Sequence, residues 1–152
     1  MQNPQSRKTA SEIAELTFQL LADCQHKEER FAEQLKITVS EFRCLRAFRG
    51  EKQLQVKVLV DRIKLSGSRL TRILSALEKH GYIIRTIDRK DRRSITVSLS
   101  KKGVELTKTL EERYLQIHED ILNGIPKDTH AALVDGLSNM LVSLQSWLQG
   151  KK

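Results

Sequence analysis

The spacing of apolar residues changes period twice between residues 70 and 121, and that restricts the fold of this chain more than any other feature. Leu70, Ile73, Leu74 and Leu77 recur at three- and four-residue steps, the period of an amphipathic helix. Tyr82 to Ile87 is a β-prone run, and from Ser94 to Leu99 the apolar residues Ile95, Val97 and Leu99 alternate, as a half-buried strand requires. After Gly103 the helical step returns with Leu106, Leu110, Tyr114, Ile117 and Ile121. The order predicted is helix, hairpin, helix, with Gly81 closing the first helix in a left-handed conformation.

A shorter helix precedes this unit. Leu54, Val56, Val58 and Val60 alternate like a strand, but Val56, Leu59, Val60 and Ile63 also share a helical face, and the helical reading is preferred. Helices over 55–63 and 67–80, joined by Lys64-Leu65-Ser66 with Ser66 as N-cap, make a helix-turn-helix. Longer helical patterns flank the centre. One runs over 11–34 with Ile13, Leu16, Leu20, Cys24 and Phe31, opened by a Thr9–Glu12 capping box. A second capping box, Thr38–Glu41, opens a helix bearing Phe42, Leu45 and Phe48 that stops at Gly50. Gly124 and Pro126 interrupt the long pattern after Gly103, and Leu133, Leu137, Leu141, Leu144 and Leu148 then form a near-heptad stripe. So much apolar helix surface outside the central module points to a homodimer, with Ile13, Leu16 and Leu20 at one end and Leu137, Leu141, Leu144 and Leu148 at the other on the shared face.

Charge separates the centre from the ends. The 152 residues carry 27 Lys and Arg against 19 Asp and Glu, a net charge of +8. Residues 1–50 hold 8 basic and 7 acidic side chains, residues 51–103 hold 14 and 5, and residues 104–152 hold 5 and 7. The whole excess lies in the middle third. Lysines and arginines so placed suit a polyanion, because they release condensed counterions from phosphates; a solvated basic face would give the same count. Placement is what favours DNA. Ser66, Ser68, Arg69, Thr71, Arg72, Ser75 and Lys79 occupy the polar side of the second short helix, where arginine can bond guanine edges and hydroxyls can bond phosphates. At the hairpin tip, Asp88 and Asp91 are positioned to shape the loop, leaving cations among Arg89, Lys90, Arg92 and Arg93 to project toward a minor groove.

The stretch from Asp88 to Gly103, with Asp88, Asp91, Arg93, Leu99 and Gly103, resembles the D-x-x-D-x-R…L-[ST]-x-x-G wing signature of the MarR (multiple antibiotic resistance regulator) family. Leu65-Ser66-Gly67-Ser68-Arg69-Leu70-Thr71-Arg72 and Leu77 to Arg85 resemble its recognition helix and the strand that follows. The resemblance implies a mainly α (α+β) winged helix-turn-helix with long N- and C-terminal dimerisation helices. Residues 1–36 and 104–152 would form the dimerisation region around a DNA-binding region over 37–103, in one compact domain overall. It further implies a homodimer on pseudo-palindromic double-stranded DNA, with the helix over 67–80 in the major groove and Arg93 in the minor groove. Many members are repressors released by a small anionic aromatic effector. The chain departs from the family at Val60, where Ala is usual, and at Lys64, where Gly is usual. A side chain at a left-handed turn position costs about 1 kcal/mol, so a differently shaped turn is expected there. Cys24 also lies well inside the first helix, whereas the family's peroxide sensors carry their cysteine near its start.

Other chemistries have little support. Cys24 and His26, two residues apart, diverge on a helix, and His80, His118 and His130 show no ligand spacing, so no metal is expected. Arg43 and Arg46 beside Cys44 could lower its thiol pKa, but structural packing is the preferred reading of both cysteines. There is no nucleophile elbow, phosphate-binding glycine loop or acid–base carboxylate pair, so neither an enzyme nor a cofactor is expected. Two cysteines, a polar N-terminus and no long apolar run predict a cytoplasmic protein without a membrane partner. The rival reading is a winged-helix module whose basic wing docks an acidic protein or RNA.

Overall fold

The first helix begins well before its apolar stripe. In the computed structural model, which describes residues 3–87 and 94–150, α1 runs Pro4–Gln34. Pro4 supplies the preset φ of a first helical residue, and the Asn3 side chain accepts a hydrogen bond from the Gln5 amide at 3.0 Å. The predicted start at residue 11 and the Thr9–Glu12 capping box are therefore corrected: Thr9 lies inside the helix and its hydroxyl donates to the Gln5 carbonyl. A Schellman turn ends α1, with the Ile37 amide on the Ala32 carbonyl and the Lys36 amide on the Glu33 carbonyl. Lys36 takes the left-handed position of that turn at φ 56°.

The chain divides into two units, Met1–Glu111 and Glu112–Lys152. In the first, α2 (Val39–Arg46) opens with the predicted capping box: the Glu41 amide donates to Thr38 Oγ1 and the Thr38 amide to Glu41 Oε2. Phe42 of α2 meets Phe31 of α1 edge to face, with ring centroids 5.5 Å apart. Next come β1 (Gln53–Gln55), α3 (Val56–Ile63), α4 (Gly67–Lys79), β2 (Ile83–Ile87) and β3 (Ile95–Leu99). The strands form an antiparallel sheet in the order β1-β3-β2, with Val97 opposite both Leu54 and Arg85. The alternation from Leu54 to Val60 thus belongs to two elements. Its first residue lies in a short strand that the helical reading passes over, and the rest follows the helical face. The core gathers Phe31, Phe42, Leu45, Phe48, Leu59, Leu70, Leu77 and Val97, all within 2% of complete burial.

Lys64 links α3 to α4 in the left-handed region, at φ 56° and ψ 40°. The turn keeps that conformation with a lysine in place of glycine, correcting the expectation of a different shape. The Lys64 amide still donates to the Val60 carbonyl at 2.8 Å, and this bond together with packing on either side holds the strained residue. Gly81 closes α4 at φ 76° as predicted, with the Tyr82 amide on the Leu77 carbonyl.

Helix α5 (Lys101–Asn123) starts two residues before Gly103 rather than after it. Ser100 accepts the Gly103 amide on its hydroxyl, and the same hydroxyl donates to the Gly81 carbonyl. Gly103 itself packs on the Tyr82 carbonyl so closely that a Cβ would lie 1.9 Å from the oxygen. The second unit contains the end of α5, a 3₁₀ turn over Lys127–Thr129 and α6 (His130–Leu148), and the predicted interruption at Gly124 and Pro126 falls between the helices. Among the described residues, no helix is long and apolar enough to cross a membrane.

Replacing Gly103 with alanine forces the Tyr82 carbonyl or the start of α5 to move. We expect Gly103→Ala to destabilise the protein by about 1–3 kcal/mol, the usual range for overpacking, despite alanine's better helix propensity. Urea unfolding checks this, and an unchanged midpoint would contradict the close approach.

Candidate nucleic-acid interface

Helix α4 separates its two kinds of side chain cleanly. Leu70, Leu74 and Leu77 are buried, whereas Ser66, Ser68, Arg69, Thr71, Arg72, Ser75 and Lys79 are all exposed. Ser68, Arg72, Ser75 and Lys79 follow one another at steps of four, three and four and so lie along one line of the helix. Arg69 sits beside Arg72 at a three-residue step, where like charges repel mildly unless an anion is near. Glu78, the acidic residue of α4, is already engaged. Arg85 at β2 gives it a backbone amide at 3.1 Å and two guanidinium bonds, from Nε and Nη2. These bonds hold the Glu78 carboxyl below its ordinary range, the Arg85 side chain contributing most. The attraction is present above the ordinary glutamate pKa and fades as pH falls through the lowered one. It ties the end of α4 to the first wing strand. None of the ion pairs among the described residues takes Arg69, Arg72 or Lys79.

Ser66 is the N-cap of α4 by backbone conformation, but its hydroxyl makes no cap bond and lies 3.3 Å from Ser68 Oγ instead. Thr71 donates to the Gly67 carbonyl. A second anchor was not foreseen from the sequence. Glu41 of α2, 3% exposed, caps its own helix with Oε2 and meets His80 Nδ1 at 3.1 Å with Oε1, so the two ends of this contact lie 39 residues apart. Lys102 of α5 donates to the His80 carbonyl and sits over the Tyr82 ring. The C-terminal end of α4 is thereby tied to α2, β2 and α5.

The wing tip, with Asp88, Arg89, Lys90, Asp91, Arg92 and Arg93, lies outside the described residues. The strands leading to it are paired from Ile83 with Leu99 to Ile87 with Ile95. On the terminal helices, the candidate dimer residues are exposed in the single chain: Ile13, Leu16 and Leu20 on α1, and Leu137, Leu141, Leu144 and Leu148 on α6.

The cysteines behave differently from each other. Cys44 is fully buried, and burial, then the nearby Glu41 charge, pushes its thiol up to about 12. Proximity to Arg43 and Arg46 in sequence does not lower it, because neighbours on a helix point away from the buried side. Cys24 is exposed on α1, which corrects the packing expectation for that residue in the single chain. Among the described residues, no three His, Cys, Asp or Glu side chains are grouped to hold a metal ion.

Known proteins share both the sequence pattern and the fold. A family model described as MarR family matches residues 35–94. An HTH-type transcriptional regulator, SarZ of Staphylococcus haemolyticus, is 30% identical over 105 residues, covering 69% of this chain and 70% of the relative. A MarR family protein from Bacillus stearothermophilus superposes with a TM-score of 0.80 at 18% identity, covering 95% of this chain and 99% of the other. NadR in complex with 4-hydroxyphenylacetate gives a TM-score of 0.67 at 22% identity, covering 84% and 91%.

Arg72→Ala on α4 and Arg93→Ala on the wing should each weaken duplex binding by about 1–3 kcal/mol while leaving the circular dichroism spectrum unchanged. Full affinity in both variants would remove the DNA-contact assignment. Cys44 should resist iodoacetamide at pH 8, where its thiol stays protonated, until denaturant exposes it. Rapid alkylation of Cys44 in the folded protein would contradict its burial.

Proposed function

The chain belongs to the MarR family and is a DNA-binding transcriptional regulator; from that premise we propose that it acts as a homodimeric repressor on pseudo-palindromic double-stranded DNA. The observation that carries this reading is the exposed face of α4, whose arginines and hydroxyls stand on a buried leucine stripe and whose cations have no ion-pair partner among the described residues. In this reading α4 enters the major groove. Ser66, Ser68, Thr71 and Ser75 bond phosphates or base edges, Arg69 and Arg72 read bases, and Lys79 contacts the backbone. Arg89, Lys90, Arg92 and Arg93 reach the adjacent minor groove, where narrowing strengthens the negative potential. Residues 37–103 are then the DNA-binding region.

Residues 1–36 and 104–152 form the dimerisation region in this proposal. Phe18 and Trp147 are each 73% exposed in the single chain, alongside the stripes of α1 and α6. Helix α6 presents Leu133, Leu137, Leu141, Val142, Leu144 and Trp147 over more than half of its circumference, and a helix so apolar is stable in water only when covered. A second copy supplies the cover, and a two-fold dimer places two α4 helices for two half-sites about one DNA turn apart. Release by a small anionic aromatic effector is supported by the NadR complex with 4-hydroxyphenylacetate, a structural neighbour. An effector lowers DNA occupancy only if it binds the DNA-incompetent arrangement better.

Fluorescence anisotropy with the intergenic duplex beside the protein's own gene, against a scrambled duplex, tests the core of the proposal. The expected result is selective binding whose log affinity falls with log salt by about 0.9 per phosphate neutralised. Equal binding to both duplexes would overturn site-specific recognition of that operator. A chain shortened to end before Leu133 should sediment as a monomer, and a dimer persisting without α6 would overturn its role in the interface.

A further inference from the structure

Glycine takes a left-handed backbone without strain, yet three non-glycine residues among those described hold one: Lys36, Arg49 and Lys64, at φ 56°, 51° and 56°. All three are cations, and they follow α1, α2 and α3 in turn. A cation there meets the negative end of the helix dipole, a weak attraction at an exposed site that salt screens, and it applies to all three alike. Position separates them. Lys64 is the C-cap of α3 and stands two residues before Ser66, the N-cap of α4. It is exposed, and none of the ion pairs among the described residues takes it, although the exposed Asp61 lies three residues earlier. Ser66 and Ser68, with hydroxyls 3.3 Å apart, are exposed just beyond it. The turn thus carries a charge without an ion-pair partner at a backbone conformation that favours glycine.

We propose that Lys64 is a DNA backbone contact of this chain, its ammonium neutralising a phosphate at the rim of the groove that α4 enters. In a helix-turn-helix the first helix crosses the sugar-phosphate backbone and the N-terminal residues of the second meet base edges, so the turn between them passes the strand that borders the groove. A lysine suits that place, being a compact charge on a flexible four-carbon stem. Glycine at position 64 would relieve the strain and remove the charge; asparagine, which tolerates the left-handed region, would also remove the charge with less strain than lysine. Strained backbone of this kind clusters where a protein meets its ligand. Arg69 and Arg72 read bases under the proposed function, whereas Lys64 adds affinity that does not depend on sequence. The assignment rests on the reading of α4 as the helix that enters the groove.

Duplex anisotropy across a salt series, with the full chain and with Lys64→Gly, Lys64→Asn and Lys64→Arg, tests the contact on both the intergenic and the scrambled duplex. Lys64→Gly and Lys64→Asn should weaken binding to both duplexes about two- to fivefold per protomer and make the slope of log affinity against log salt shallower by about 0.9 per protomer. The ratio of the two affinities should stay that of the parent, because a phosphate contact carries no sequence information. Lys64→Arg should keep the parent's slope. Thermal unfolding of Lys64→Gly should show a midpoint no lower than the parent's, which separates loss of a contact from loss of fold. A parental slope in both uncharged variants overturns the proposal. A slope that falls in Lys64→Arg as it does in Lys64→Gly would place the effect in the backbone of the turn and also overturn it. A changed ratio between the duplexes would make Lys64 a reader of bases instead of a backbone contact. Arg72→Ala, measured alongside, tells the two levels apart. If it weakens binding while the Lys64 variants match the parent, Lys64 alone falls; if all match the parent, the reading of α4 falls with it.

Discussion

The contact of Gly103 with the Tyr82 carbonyl is the constraint on which the arrangement of the winged helix-turn-helix depends. Tyr82 follows the glycine that ends α4 and precedes β2, and Gly103 sits in the first turn of α5, so the contact brings the end of α4 and the start of a long helix to backbone distance. Ser100 reinforces it from both sides, with its amide on the Tyr82 carbonyl and its hydroxyl between Gly81 and Gly103. Lys102 adds a bond to the His80 carbonyl. A side chain at position 103 has no room, so the spacing between the wing strand and α5 is set by backbone against backbone.

Arginine serves two separate purposes in the first unit. Arg43, Arg62 and Arg85 each hold a carboxylate and join elements: α2 to α1, α3 to the turn after α2, and β2 to α4. Arg69 and Arg72 have no such partner among the described residues and lie exposed on α4. Partly exposed ion pairs contribute little stability individually, so the first group matters more for geometry than for free energy. In the proposed function, the second group keeps its charge for DNA. Net charge in the middle third of the sequence reflects both groups, and the distinction between them appears only when the carboxylates are placed.

The terminal helices raise a different physical question. A single chain leaves Leu16, Phe18 and Leu20 on α1 and Leu141, Val142 and Trp147 on α6 in water, an apolar exposure that isolated soluble monomers rarely sustain. This exposure supports the two-chain reading. It also bears on Cys24, which follows Leu20 along α1 and is exposed in the single chain.

Much of the fold was legible because its signals are local. The Thr38–Glu41 capping box, Gly81 as a left-handed helix end, the period-two hairpin and the break at Gly124 and Pro126 depend on neighbours within a few residues. The exposed face of α4 was legible for the same reason: a helical period puts Leu70, Leu74 and Leu77 on one side and the arginines and hydroxyls on the other. The early start of α1 was missed because its polar first turns carry no apolar period, although Asn3 and Pro4 held the signal. Strand β1 was passed over because the alternation that begins at Leu54 runs on into α3, where the helical face outweighed it, and its pairing with β3 joins positions more than 40 residues apart. Tertiary structure alone decided that Glu41 meets His80, that Cys44 is sealed from solvent with a raised pKa, and that Arg43 of α2 reaches Glu28 of α1. Such contacts join residues far apart in sequence, and no local period or cap encodes which distant side chain will be brought near. By itself, then, the sequence determined the elements and the faces they present, through short-range sterics and apolar spacing; the partners of its charged groups were decided by packing.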